Sequence, residues 1–184
     1  MELDPKSVDY VLSTTRSVRL RLDFDRPVDP QIILDCIDIA EQAPTGGNIG
    51  SRRWIVITDH KKKAQISELY LKSAGNWMIA ARDRLSGTGH PNERMFKSAA
   101  FLAENLEKSP AIVIPSIIGI HDNSGRPGLF DSVIQSAWSF CLALRSRGLG
   151  TAWTTAILSE ADELKEILDL PEGTTEIAMF PVAW

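Results

Sequence analysis

Along this chain, stretches in which apolar residues recur every third or fourth position alternate with short β-branched runs that are apolar almost throughout. The first pattern predicts helices with one buried face, and the second predicts strands covered on both sides. Asp4-Pro5 opens a helix in which Val8, Val11 and Leu12 share a face and which ends near Thr14. Residues 27–30 form a turn rich in helix-start signals, and the helix over 31–42 carries Ile32, Ile33, Cys36, Ile37 and Ala40 as a buried stripe. Pro44 stops it, because proline has no amide donor and restricts the residue before it. Trp54-Ile-Val-Ile-Thr58 then reads as a buried strand.

Asp59 begins the next helix, with His60, Lys61, Lys62 and Lys63 as its solvated start. Residues 69–108 have helical composition but are broken at Ser86-Gly-Thr-Gly-His-Pro91, a candidate lid, whereas Trp77, Met78, Met95 and Phe96 read as core. The run 111–118 predicts a strand covered on both faces, with Pro115 marking a bulge or an edge. A polar loop over 121–128 leads into a helix over 129–147. Its apolar residues Val133, Ile134, Ala137, Trp138, Phe140, Cys141 and Leu144 are spread too widely around it for a surface helix, which makes it the central one. Gly148 caps it, residues 150–155 are β-rich, Ser159 caps a helix over 160–168, and 175–183 form the last strand.

Composition narrows the classes. A chain of 184 residues, 43% of them hydrophobic, can bury one core without disulfides or metal. A formal net charge of −4 and a pI near 5.4 argue against nucleic acid and anionic membrane, which attract basic faces. Cys36 and Cys141 both sit within apolar helical patterns, as buried thiols do, so a reduced, cytoplasmic protein is expected. The N-terminus shows no basic leader with an apolar core, and His60 has no second histidine or carboxylate at metal-ligand spacing.

Three stretches carry candidate chemistry. In Thr15-Arg16-Ser17-Val18-Arg19 a hydroxyl lies between two arginines, a composition that suits an anion, although a solvated basic edge would look the same. Ala43-Pro-Thr-Gly-Gly-Asn48 combines residues that tolerate positive φ and expose backbone amides, as a ligand loop or a plain helix-to-strand connection does. Gly148-Leu-Gly-Thr-Ala-Trp153 follows a helix and precedes a strand, the reverse of a dinucleotide fingerprint.

In this order, the three stretches resemble the FMN-dependent nitroreductase family, and Leu170-Pro-Glu-Gly173 and residues 177–182 fit it as well. The resemblance implies an α+β, three-layer sandwich whose central mixed sheet has helices on both faces. It also implies a homodimer with FMN at the interface. Arg16 and Ser17 would hold the phosphate and ribityl chain, and Arg19 would reach the N1/C2-carbonyl edge, where reduction places negative charge. Pro44, Thr45, Gly46 and Asn48 would come from the partner subunit. The segment Thr155, Ala156, Ile157 and Leu158 would present backbone amides to flavin N5 and O4. The implied activity is electron transfer from NAD(P)H to a small electron-poor acceptor, by a ping-pong mechanism. The alternatives are a specialised flavin reaction (dehalogenation or flavin fragmentation) and a non-catalytic flavin-binding dimer.

Three departures accompany the match. Thr15 stands where the family has a basic residue, and Gly50-Ser51-Arg52 stands where Gln-Pro-Trp is common, with Arg52 as a further cation for the ring. The sequence ends at Trp184, where relatives continue into a basic segment and an arm around the partner. The expectation is therefore a single domain over 1–184 without that arm.

Overall fold

The computed structural model describes residues 4–118 and 128–184. Helix α1 (Pro5–Thr14) starts where the Asp4 carboxylate accepts from the Lys6 amide, with proline in the first turn, where no helical donor is needed. Helix α2 (Pro30–Ala40) is capped in the same way by Asp29 and buries Ile33, Cys36, Ile37 and Ala40. It ends two residues before the expected boundary. After a 3-10 turn (Gly46–Asn48) comes strand β1 (Arg52–Ile57), which starts two residues earlier than expected.

Helix α3 (His60–Tyr70) runs through one π-turn (Leu71–Gly75) into α4 (Asn76–Leu85), and α5 (Glu93–Asn105) follows the break at 86–92. Strand β2 (Ala111–Ile118), the long helix α6 (Gly128–Ser146), the two-residue strand β3 (Gly150–Thr151) and α7 (Ala161–Leu168) come next. Strands β4 (Thr174–Glu176) and β5 (Phe180–Ala183) close the chain. The polar loop expected over 121–128 lies outside the described residues, apart from Gly128 at the start of α6.

The strands pair in the order β1-β2-β5-β3, with β4 also on β2. Every described pairing is antiparallel, where a mixed sheet was expected. Alternate strands in the order do run the same way, but they are never neighbours. Side chains alternate across β2 as a pleated strand requires. Ala111 and Val113 pack with α2 and α6 around Phe140 and Phe180, while Ile112 and Ile114 face Ile66, Leu69, Leu102 and Leu164 of α3, α5 and α7. This gives the three layers of an α+β sandwich, the expected fold class.

Pro115 sits inside the sheet without breaking it. Between the pairs Val113↔Phe180 and Ser116↔Glu176 the register slips by one residue, so four steps of the partner chain face three of β2. The Pro115 carbonyl accepts from Ile177 in that interval, and its missing amide falls where the ladder is already irregular. The same bulge divides the single final strand expected over 175–183 into β4 and β5.

Other expectations change as well, among them the core placement of Trp77 and Met95, which are 60% and 45% exposed. Strand β1 is an edge strand, so its middle residues are only half-buried. Lys63 is buried rather than solvated and donates to the Ser109 carbonyl at 2.8 Å. Ser159 does not cap α7; its hydroxyl turns back to Ala156 within a 3-10 turn (Ala156–Glu160). Of the β-rich run 150–155, only Gly150, Thr151 and a bridge from Thr154 to Met179 pair, because the chain turns directly into that 3-10 segment.

Glu176 of β4 is 5% exposed, and its Oε1 has no hydrogen-bond partner among the described residues. Burial penalises the charged form and pushes its carboxyl up. The folded state therefore holds this proton to higher pH than the unfolded chain does, and stability is lost as pH rises between the two values. Glu176→Gln should raise the unfolding free energy at pH 7 by about 1 kcal/mol, because the amide keeps the shape and removes the cost of ionising a buried carboxyl. The gain should vanish near pH 3, where both states are protonated. Urea titrations at the two pH values check this, and an equal gain at both would exclude an ionisation effect.

Candidate active site

The basic segment near the N-terminus is laid down by the end of α1. The Thr15 hydroxyl donates to the Val11 carbonyl at 2.6 Å, which closes the helix and leaves Thr15 buried. Residues 16–19 then run as open chain and 20–21 as a turn, tied to β3 by Val18 N–H donating to the Thr151 carbonyl at 2.8 Å. Gly148 takes φ +82° at the end of α6. A Cβ on Gly150 would lie 3.0 Å from Leu22 and 3.4 Å from Val18, so that glycine is what lets the segment approach. The two glycines of the Gly148-Leu-Gly150 motif thus seat the arginine segment.

Beside this seat lies a cavity of about 320 Å³, lined among others by Arg16, Ser17, Arg21, Trp138, Cys141 and Arg145. Arg16 donates to the Thr15 carbonyl at 2.7 Å, and Arg145 lies over the Tyr10 ring, 5.6 Å from its centroid. Among the described residues, Arg16, Arg19, Arg21 and Arg145 are in no ion pair, in a chain whose formal charge is −4. Cys141 is 5% exposed, and burial pushes its thiol up to about 12. Cys36 is likewise buried and free.

The 44–48 loop lies elsewhere. Gly47 and Asn48 both take positive φ, as the sequence implied, and the loop packs on the opposite part of α6. Gly46 N–H donates to Ser132 Oγ at 2.9 Å, and Gln135 Nε2 donates to the Pro44 carbonyl at 2.6 Å. Ser132 and Arg145 are thirteen residues apart on α6, about 20 Å at 1.5 Å per residue. The arginine seat and the glycine loop therefore do not meet within one chain.

Arg52 is the main residue misjudged from sequence. It supplies no cation to a ligand, because its side chain is 5% exposed and fully engaged. It donates to the carbonyls of Glu41 (2.8 Å), Ala43 (3.0 Å) and Ser132 (3.3 Å) and pairs with the Glu41 carboxylate at 3.3 Å. That carboxylate also accepts from Trp54 Nε1 at 2.8 Å. Carbonyls at a helix C-terminus have no helical donor and carry partial negative charge, so a buried guanidinium suits the end of α2.

The third expected group starts at Thr155, which is exposed and precedes the 3-10 turn. Ile157 is buried, and Leu158 N–H already donates to the Thr155 carbonyl at 3.0 Å. Ala156 N–H makes only a long contact, 3.5 Å, with Thr154 Oγ1. Sequence reasoning missed the buried Tyr70, whose hydroxyl shares a 3.1 Å hydrogen bond with Thr154. Burial pushes that phenol up, while the Thr154 bond and the charge of Arg19 act the other way. The charge of Arg19 thus reaches the Tyr70 phenol, after burial and the Thr154 bond in size of effect. Among the described residues no cluster of His, Cys, Asp and Glu side chains could hold a metal ion, and no helix is long and apolar enough to cross a membrane.

The sequence profile of the nitroreductase family matches residues 12–184. The chain belongs to the nitroreductase family. Solved structures share the fold of this nitroreductase-family chain at low identity. The FMN-dependent nitroreductase NfnB from Mycobacterium smegmatis, in complex with NADPH, superposes with a TM-score of 0.73 at 12% identity, over 98% of this chain and 88% of that one. Oxidized iodotyrosine deiodinase bound to FMN and 3-iodo-L-tyrosine gives 0.71 at 18%, over 95% and 88%. A BluB-like flavoprotein from Clostridium difficile 630 gives 0.70 at 19%, over 99% and 90%. At these identities the likeness fixes the fold alone.

Arg52→Met keeps much of the volume but removes every donor. It should lower the unfolding free energy by about 2–3 kcal/mol, since buried carbonyls lose their partner. It should also abolish protection of the Gly46 amide from hydrogen exchange. Unchanged protection would show that the loop is held without Arg52.

Proposed function

We propose that this nitroreductase-family protein is an FMN-dependent oxidoreductase that works as a homodimer. The observation that carries the reading is the separation of the arginine seat from the glycine loop along α6. A second copy packed against α6 in the opposite direction would bring its own 44–48 loop to the first copy's arginines. Ile134 and Trp138, one helical turn apart on α6, are 44% and 42% exposed, and Val8, Tyr10 and Leu12 of α1 are exposed too. An apolar face of this kind suits a partner subunit.

The residues fit the cofactor. Arg16, with Ser17, supplies charge-assisted donors for a phosphate, and its neighbours Arg21 and Arg145 add positive field without a neutralising carboxylate among the described residues. Arg19 is half-buried, so its charge is less screened than one in water and would hold the N1 edge of the ring. The amides of Ala156 and Ile157 are the candidates for N5 and O4. When bound, FMN supplies the electron chemistry, accepting a hydride from NAD(P)H and passing electrons to a small electron-poor acceptor such as a nitroaromatic, a quinone or an activated alkene. The chain's part is to bind, to orient and to favour negative charge on the ring.

The purified protein should be yellow, release flavin on denaturation, and oxidise NAD(P)H with menadione or a nitrofuran. Flavin retained without turnover would leave a flavin-binding dimer, and no flavin uptake would remove the reading. Arg16→Ala should weaken FMN binding by about tenfold or more, the loss of a charge-assisted contact of roughly 1.5–3 kcal/mol, while riboflavin binding is unchanged. The interface is tested at the exposed Ile134. Ile134→Glu should give a folded monomer without flavin, by sedimentation and absorbance. A monomer that binds FMN at full affinity would show that the site is not shared.

A further inference from the structure

A second cavity, of about 580 Å³, lies on the same arginine segment but has no α6 residue in its lining. One wall is Ser17, Arg19 and Arg21. The other is α5, where Arg94, Met95 and Ser98 share a face and Pro91 precedes it. The buried residues of α5 are Phe96, Ala99, Ala100, Leu102 and Ala103, and Arg94, Met95 and Ser98 are not among them. Met95 is 45% exposed.

Charge is the unusual feature. Arg19, Arg21 and Arg94 converge on the cavity, and among the described residues none of them is in an ion pair. The carboxylate next in sequence, Glu93, is directed elsewhere, accepting from the amides of Gly87 at 2.8 Å and Gly89 at 3.1 Å. Like charges around one cavity repel unless solvent or an anion compensates them. Guanidinium groups with serine hydroxyls, beside proline, leucine and methionine, suit an oxyanion attached to an apolar body.

We infer that this cavity is the subsite for a phosphate or carboxylate on the molecule that exchanges electrons at the neighbouring site, so that one of the two substrates is recognised as an anion. The electron exchange rests on the flavin reading; the binding does not. Two sources carry the group: the extra phosphate that distinguishes NADPH from NADH, or an acid group on the acceptor.

Arg94→Gln tests it, since Arg94 lines the cavity from α5 and is not itself assigned to the cofactor. Calorimetry on the protein as purified would use 2′,5′-ADP, 4-nitrobenzoate and neutral nitrobenzene. At least one anion should bind the wild type and weaken about tenfold in Arg94→Gln, with recovery in Arg94→Lys and no change for nitrobenzene. A response to 2′,5′-ADP assigns the donor phosphate, and a response to 4-nitrobenzoate assigns an acidic acceptor. Failure of both anions to bind the wild type, or equal affinity in Arg94→Gln, would overturn the inference. Anion binding that depends on Arg94 in a protein unable to take up flavin would keep the subsite and remove the redox reading. Flavin-dependent turnover without such anion binding would do the reverse.

Discussion

One buried guanidinium, that of Arg52, fastens three parts of the chain at a single point: the end of α2, the glycine loop and the first half of α6. Its donors are matched to backbone carbonyls, so the bond depends on little besides the path of the chain. A lysine could not reproduce it, because a point charge lacks the planar fork that reaches several acceptors at once. Around this fastening the Ser136 hydroxyl donates to the Ala40 carbonyl at 2.8 Å, and α2 and α6 pack as one layer on the sheet.

The other end of α6 is organised by absence of bulk. Gly148 turns the chain and Gly150 leaves room for Val18 and Leu22, so the arginines are held by close backbone approach rather than by side-chain bonds. One helix therefore carries a hydrogen-bonded loop at its beginning and a loosely tied cationic segment at its end. The helix length, set by 1.5 Å per residue, keeps the two apart. The proposed shared site rests on that length more than on any single contact.

Much of this was legible in the sequence because the cues are local. Proline and aspartate at 4–5 and 29–30 marked two helix starts, apolar periodicity marked α2 and α6, and Gly47, Asn48 and Gly148 marked positive φ. What was not legible depended on distant partners. The role of Arg52 is set by a serine eighty residues away, and burial of Lys63 by a carbonyl forty-six residues away. Tyr70 looked like ordinary helix composition until the fold set it against Thr154. Strand pairing direction, and the slip opposite Pro115, are likewise properties of neighbours that local pattern does not encode.

Cys141 faces the arginine-lined cavity, yet its thiol is held far from ionising. Nucleophilic and oxidation chemistry at sulfur runs through the thiolate, which at neutral pH is scarcely populated here. The wall beside the proposed electron-transfer centre is thus chemically quiet. A sulfur so placed neither competes for electrons nor records oxidative stress, and alkylating reagents should find it only after the chain unfolds.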